Sequence, residues 1–234
     1  MLLYTELSCL INDAFLSNEH RTLPYTVFVT GSVAVGKTTF SQKLQVLFRS
    51  WPSHPHVALV STDGYLYPNA VLEKHGLMDK KGSPETYDVA RLLGFLKDLK
   101  EGKSPLKVPI YSHYYKNISL NESQTLHRSD IVIIEGLPLL PFDFFDFSVY
   151  LDADSDLIKQ WYLERFLCLW SQAKQDKTAY LYRFSHLNEV EAYETGEAIW
   201  KNVNQPNLIQ NILPYREKAD LIVLKDKDHN IIVC

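Results

Sequence analysis

The amino-acid sequence predicts an α/β fold: a mostly parallel central sheet with helices on both faces. Three observations carry this. Short β-branched segments, apolar at nearly every position, alternate with helical stretches, and strands of that kind are buried on both faces. The glycine-bearing run Gly31 to Thr38 stands between the first such strand and a helix. Acidic residues then follow directly on later strands, at the carboxyl edge where such sheets gather their ligands.

Taken in order, residues 2 to 17 read as an amphipathic helix, joined by a polar link to Pro24. Residues 25 to 30 form the first predicted strand. Residues 37 to 49 form a helix with Phe40, Leu44 and Leu47 on one face. A second strand covers 57 to 62, and a helix over 89 to 99 buries Leu92, Leu93, Leu96 and Leu99. Strands at 131 to 134 and 147 to 151 precede helices at 155 to 170 and 190 to 202, and a late strand covers 221 to 224. The whole chain, 1 to 234, reads as one domain, with an N-terminal helix and link over 1 to 23 and a core over 24 to 234.

The composition narrows the function. A formal charge of −4 over 234 residues argues against nucleic acid as a partner. No apolar run approaches a membrane span, and the N-terminal segment has no basic leader. Cys9, Cys168 and Cys234 are far apart and odd in number, so a reducing, cytoplasmic setting is expected. Cys168, on an apolar helix, is expected to be buried.

Four groups of residues carry chemistry. Gly31-Ser32-Val33-Ala34-Val35-Gly36-Lys37-Thr38 satisfies G-x-x-x-x-G-K-[ST] in the strand–loop–helix setting that the mechanism needs. Backbone N–H groups there point at phosphate oxygens, Lys37 reaches the terminal phosphates, and the Thr38 hydroxyl suits Mg²⁺. Asp63 follows the second strand, where a carboxylate can take the proton of an attacking hydroxyl; an Asp-Gly turn fits the residue equally well by itself, and the 31 to 38 loop tips the reading toward the base. Glu135 ends the strand Ile131 to Ile134, as a Walker-B carboxylate does beside Mg²⁺. Tyr162, Arg165, Phe166 and Leu169 share one helical face. That stripe suits a guanidinium facing phosphate among rings, or a snorkelling arginine at a core margin, which is its default reading. By the same standard His113 reads as a packed histidine, Lys80-Lys81 as a solvated charge pair, and the cluster Phe142, Phe144, Phe145 and Phe147 as core or interface.

Several runs together resemble the bacterial type I pantothenate kinases. They are the 31 to 37 loop, Thr-Asp-Gly-Tyr-Leu-Tyr-Pro-Asn at 62 to 69, and Gly-Leu-Met-Asp-Lys-Lys-Gly-Ser-Pro-Glu-Thr-Tyr-Asp at 76 to 88. Pro-Ile-Tyr-Ser-His at 109 to 113 and Ile-Ile-Glu-Gly-Leu at 133 to 137 follow. Trp-Tyr-Leu-Glu-Arg-Phe at 161 to 166 and Asn-Leu-Ile-Gln-Asn-Ile-Leu-Pro at 207 to 214 complete the set. The resemblance implies a P-loop kinase fold, ATP and Mg²⁺, a homodimer, and transfer of the γ-phosphate to pantothenate as the first step of coenzyme A synthesis. It also implies roles. Asp63 becomes the base, and Lys37 and Arg165 the phosphate-stabilising cations. Thr39 joins the nucleotide loop, and Lys225 and His229 lie near the adenine. His113, Tyr162, Phe166, Tyr180 and Asn204 form the acceptor pocket.

The chain also departs from that family. One helix precedes the loop strand where the family has a longer region, and the segment between Leu137 and Phe147 is shorter. Gln42 replaces an arginine that contacts coenzyme A during feedback inhibition. Leu169 replaces a phenylalanine and Lys116 a tyrosine near the acceptor. These changes keep open a related kinase of uridine, a ribose derivative or glycerate. A non-catalytic nucleotide-binding paralogue is a further alternative, although no Asn-Lys-x-Asp segment for guanine is present.

Overall fold

A computed structural model describes residues 2–17 and 24–233. The expected link at 18 to 23, and Cys234, lie outside the described residues. In chain order the elements are α1 (Leu2–Ser17), β1 (Tyr25–Gly31), α2 (Lys37–Arg49), β2 (Val57–Ser61), α3 (Asn69–Lys74) and α4 (Val89–Lys100). The hairpin β3 (Leu106–Ser112) and β4 (Asn117–Leu126) follows, then β5 (Ile131–Glu135), β6 (Phe147–Ala153) and α5 (Ser155–Ala173). Last come α6 (Glu189–Ile199), β7 (Leu221–Lys225) and β8 (Ile231–Val233).

The main sheet runs β2-β5-β1-β6-β7-β8, parallel throughout except for β8. Its central strands are buried on both faces, as expected. Val27, Val29, Ile131 and Ile133 pack toward α1, α2 and α5, while Phe28, Val132 and Ile134 pack toward α4 and the hairpin. That alternation is why β1 and β5 read as unbroken apolar runs. Phe145 stacks on Phe28 at 4.4 Å and Phe142 meets it edge-on at 5.7 Å, so these two rings are core, while Phe144 is exposed.

Several boundaries and faces differ from expectation. Thr62 starts a 3₁₀ turn, Thr62–Tyr65, rather than ending β2. On α2 the buried rank is Phe40, Leu44 and Phe48, spaced four apart, with Leu47 half-buried. On α4 Phe95 is buried and Leu93 is half-buried. Cys168 is exposed on α5, contrary to its expected burial. The β3–β4 hairpin was not foreseen, because β3 has one buried position and carries Pro109, which withholds a ladder donor.

Two close approaches set the rim of the sheet. A Cβ on Gly196 of α6 would stand 2.9 Å from Phe166 Cδ1, so a bare backbone lets α6 close against α5. Gly136, just after β5, has φ 150°, and a Cβ there would lie 1.8 Å from Thr62 Oγ1. This contact holds the β5 exit against the turn that follows β2. Gly136→Ala is therefore expected to cost about 2–5 kcal/mol in urea unfolding, the sum of backbone strain and overpacking. A loss under about 0.5 kcal/mol would show that the two exits are not so tightly joined.

Candidate active site

The loop after β1 is shaped by positions that carry little or no side chain. A Cβ on Gly31 (φ 142°) would sit 2.3 Å from the Leu151 carbonyl oxygen, so only glycine lets β1 turn here. The chain then curls through Ala34 (φ 63°) and Gly36 (φ 91°) into α2. No side chain caps α2, so its first N–H groups and its dipole are left for an anion. Lys37 Nζ donates to the Gly31 and Ser32 carbonyls at 3.1 and 2.8 Å, folding its ammonium over the loop. Burial lowers the Lys37 pKa, while Glu135 and then Asp63 pull it up and Arg165 pushes it down. The Ser32 and Val35 side chains are buried, so these two residues offer only their backbone.

Thr38 Oγ1 donates to Glu135 Oε1 at 3.1 Å. Burial raises the Glu135 pKa, and the Lys37 charge opposes that rise. A hydroxyl and a carboxylate side by side at the foot of the loop are oxygen donors of the kind Mg²⁺ takes together with substrate phosphates. Thr39 is exposed at the rim of the same cleft. On the other side Lys225, ending β7, donates to the Val35 carbonyl at 2.9 Å. The His229 ring lies 4.3 Å from that of Trp161, and Lys225 Nζ lies 5.4 Å from the Trp161 ring. Lys225 and His229 line the cleft beside the loop, against the buried Trp161 ring, where a base could rest.

Asp63 stands on the 3₁₀ turn after β2, where Tyr87 donates to its Oδ1 at 3.1 Å. Burial, and then the Asp63 charge, hold the Tyr87 pKa well above its ordinary value, so it remains a donor. His113 Nε2 is 3.8 Å from Asp63 Oδ2, too far for a hydrogen bond. Burial lowers the His113 pKa; Asp63 opposes this, and Arg165, Lys37 and Lys116 reinforce it. The hairpin reaches this position because Gly64 has no side chain, since a Cβ there would sit 2.2 Å from the Pro109 carbonyl oxygen.

The α5 face completes one cleft of about 1140 Å³, into which Tyr162, Arg165, Phe166 and Leu169 all open together with Asp63 and Lys37. Arg165 is thus a cleft residue and not a snorkelling one. The Tyr162 pKa is pushed up to about 12 by burial, against a hydrogen bond with Asn204. Tyr180 lies in the same cleft, with Lys116 Nζ 5.0 Å and Arg183 Cζ 4.2 Å from its ring. Every residue singled out for nucleotide, metal or acceptor therefore falls on this cleft or, for Ser32 and Val35, on the loop that walls it.

Sequence reasoning missed three of its members. Lys81, expected to be a solvated loop charge, instead donates to Asn69 Oδ1 and the Lys116 carbonyl. Burial brings its pKa down to about 8, against the pull of Asp63. Tyr87 and Arg183 were also not foreseen. Tyr87 and Lys81 both belong to the 76 to 88 run, whose clustered motif was the available signal.

The phosphoribulokinase/uridine kinase family model matches residues 26–167. A pantothenate kinase of Parvibaculum lavamentivorans is 47% identical over 94% of this chain and 72% of its own. One from Halalkalibacterium halodurans is 48% identical over 89% of this chain and 70% of its own. Among solved structures, D-glycerate 3-kinase from Cryptococcus neoformans superposes with a TM-score of 0.66 at 12% identity, covering all of both chains, a likeness of fold. Among the described residues no helix is long and apolar enough to cross a membrane.

Lys37→Met is expected to weaken binding of a non-hydrolysable ATP analogue roughly 10- to 100-fold in calorimetric titration, with the far-ultraviolet dichroism unchanged. Unaltered affinity would place the phosphates elsewhere.

Proposed function

The chain belongs to the phosphoribulokinase/uridine kinase family and, within it, to the pantothenate kinases, and we propose that its cleft works as follows. The enzyme transfers the γ-phosphate of ATP to the primary hydroxyl of pantothenate, giving 4′-phosphopantothenate and ADP for coenzyme A synthesis. The observation that carries this reading is the meeting of Asp63 with the 31 to 38 loop in one cleft, with acceptor-side residues of α5 and the hairpin around it.

The β- and γ-phosphates lie against the N–H groups of the loop and of the first turn of α2. Lys37 leaves the Gly31 and Ser32 carbonyls to meet them, and the base rests by Trp161, Lys225 and His229. Thr38 and Glu135 hold Mg²⁺, which when bound neutralises charge on the phosphate oxygens. Pantothenate lies between His113, Tyr162, Phe166, Tyr180 and Asn204. Asp63 faces its hydroxyl, with the carboxylate aimed by Tyr87. As the acceptor oxygen bonds to the γ-phosphorus, the bond to the β-phosphate oxygen breaks and Asp63 receives the proton. Lys37 and Arg165 stabilise the charge that spreads over the transferring group. His113, whose pKa burial lowers, can donate a hydrogen bond to the acceptor through a ring N–H.

We read residues 1 to 234 as one catalytic domain, acting in the cytoplasm as a homodimer. Lys116 and Leu169 line the cleft at positions where the chain departs from the family pattern, so uridine, a ribose derivative and glycerate belong beside pantothenate in the first assay.

Asp63→Asn is expected to lower kcat roughly 10²–10⁴-fold, with the KM for ATP little changed, in a coupled ADP-release assay. Wild-type turnover by that variant would remove Asp63 as the base. Tyr87→Phe, which leaves the carboxylate but not its donor, is expected to lower kcat about tenfold under the same conditions. An undiminished kcat would show that Asp63 needs no such anchor.

A further inference from the structure

The acceptor side of the cleft holds more positive charge than the transferred phosphate requires. Lys37 and Arg165 are committed to ATP, but Lys81, Lys116 and Arg183 also open into the cleft. Among the described residues none of these three has a carboxylate within ion-pair distance. Lys81 is engaged by Asn69 and by the Lys116 carbonyl. Lys116 and Arg183 share the Tyr180 ring as a partner, at 5.0 and 4.2 Å, with Arg183, which is exposed, also 4.6 Å from Phe184.

Lys116 is held in place by its backbone. It sits in the β3–β4 turn with φ 44°, and its carbonyl accepts from Lys81. Burial, and then the charges of Arg183, Arg165 and Lys81, bring its pKa down to about 8. Like charges gathered in a partly dry site repel until an anion joins them.

Resting on the reading of the site as a pantothenate kinase, we infer that Lys116, with Arg183 beside it on Tyr180, binds the acceptor's carboxylate and selects the acid over its neutral analogues. The acceptor then lies between two fixed ends, its hydroxyl at Asp63 and its carboxylate at Lys116. Lys116 is here a specificity residue and takes no part in proton or phosphate transfer.

The test compares kcat/KM for pantothenate and for pantothenol, in which a neutral alcohol replaces the carboxylate, across wild type, Lys116→Gln and Lys116→Arg. All three side chains carry a Cβ, so the strain of the left-handed backbone is common to them. The wild type should prefer the acid. Lys116→Gln should lose roughly 10- to 100-fold toward pantothenate, mainly in KM, and at least fivefold less toward pantothenol, while Lys116→Arg should keep the preference. Equal losses toward both substrates, or no loss toward either, would overturn the inference and leave the kinase assignment standing. No turnover of pantothenate by the wild type would instead overturn the assignment, and the inference with it.

Discussion

Val29, Glu135 and Ser61 stand in one row across three parallel strands, β1, β5 and β2. This register governs the rest of the site. Two residues beyond Val29 lies Gly31, where the phosphate loop begins, and two residues beyond Ser61 lies Asp63. Strands buried on both faces cannot slip by one residue without carrying every side chain to the opposite face. The packing of Val27, Ile131 and Ile133 on one side, and of Phe28, Val132 and Ile134 on the other, therefore fixes how far the loop lies from the base. Gly136, wedged against Thr62, locks the last step of that alignment.

Above this frame the cleft is an electrostatic balance awaiting ligands. Lys37 and Glu135 are shifted in opposite directions by the same cause, burial, and each partly relieves the other. Lys37 rests on two loop carbonyls and the Thr38 hydroxyl on the Glu135 carboxylate, so the side chains that would meet phosphate and metal are satisfied internally. A nucleotide exchanges these contacts for stronger, charge-assisted ones. On the acceptor side Lys116 and Arg183 have, among the described residues, no carboxylate within ion-pair distance.

Much of this was legible in the sequence because local and global signals agree. A strand that reads apolar throughout, a glycine at each sharp turn and an acidic residue at a strand end are all short-range features, and they located Lys37, Thr38, Asp63 and Glu135. Arg165 and His113 were ambiguous as residues, since an amphipathic stripe and a lone histidine look the same in a core and in a cleft. The family resemblance assigned them roles, and both side chains line the cleft. What stayed hidden depends on contacts between distant segments. Lys81 looked solvated because its partners, Asn69 and Lys116, are 12 and 35 residues away. The hairpin bearing His113 and Lys116 was invisible because its strands are half-exposed and lack an apolar run. Cys168 misled because the apolar neighbours that suggested burial lie on other faces of α5.

Everything in the proposed mechanism turns on the cleft moving phosphate to one particular hydroxyl of pantothenate. The most direct measurement is phosphorus NMR and mass spectrometry of the product formed from γ-labelled ATP, Mg²⁺ and pantothenate, an acceptor with a primary and a secondary hydroxyl. The account predicts label on the primary hydroxyl alone, with one ADP released per ester formed. Label on the secondary hydroxyl, or ADP and free phosphate with no ester, would contradict it.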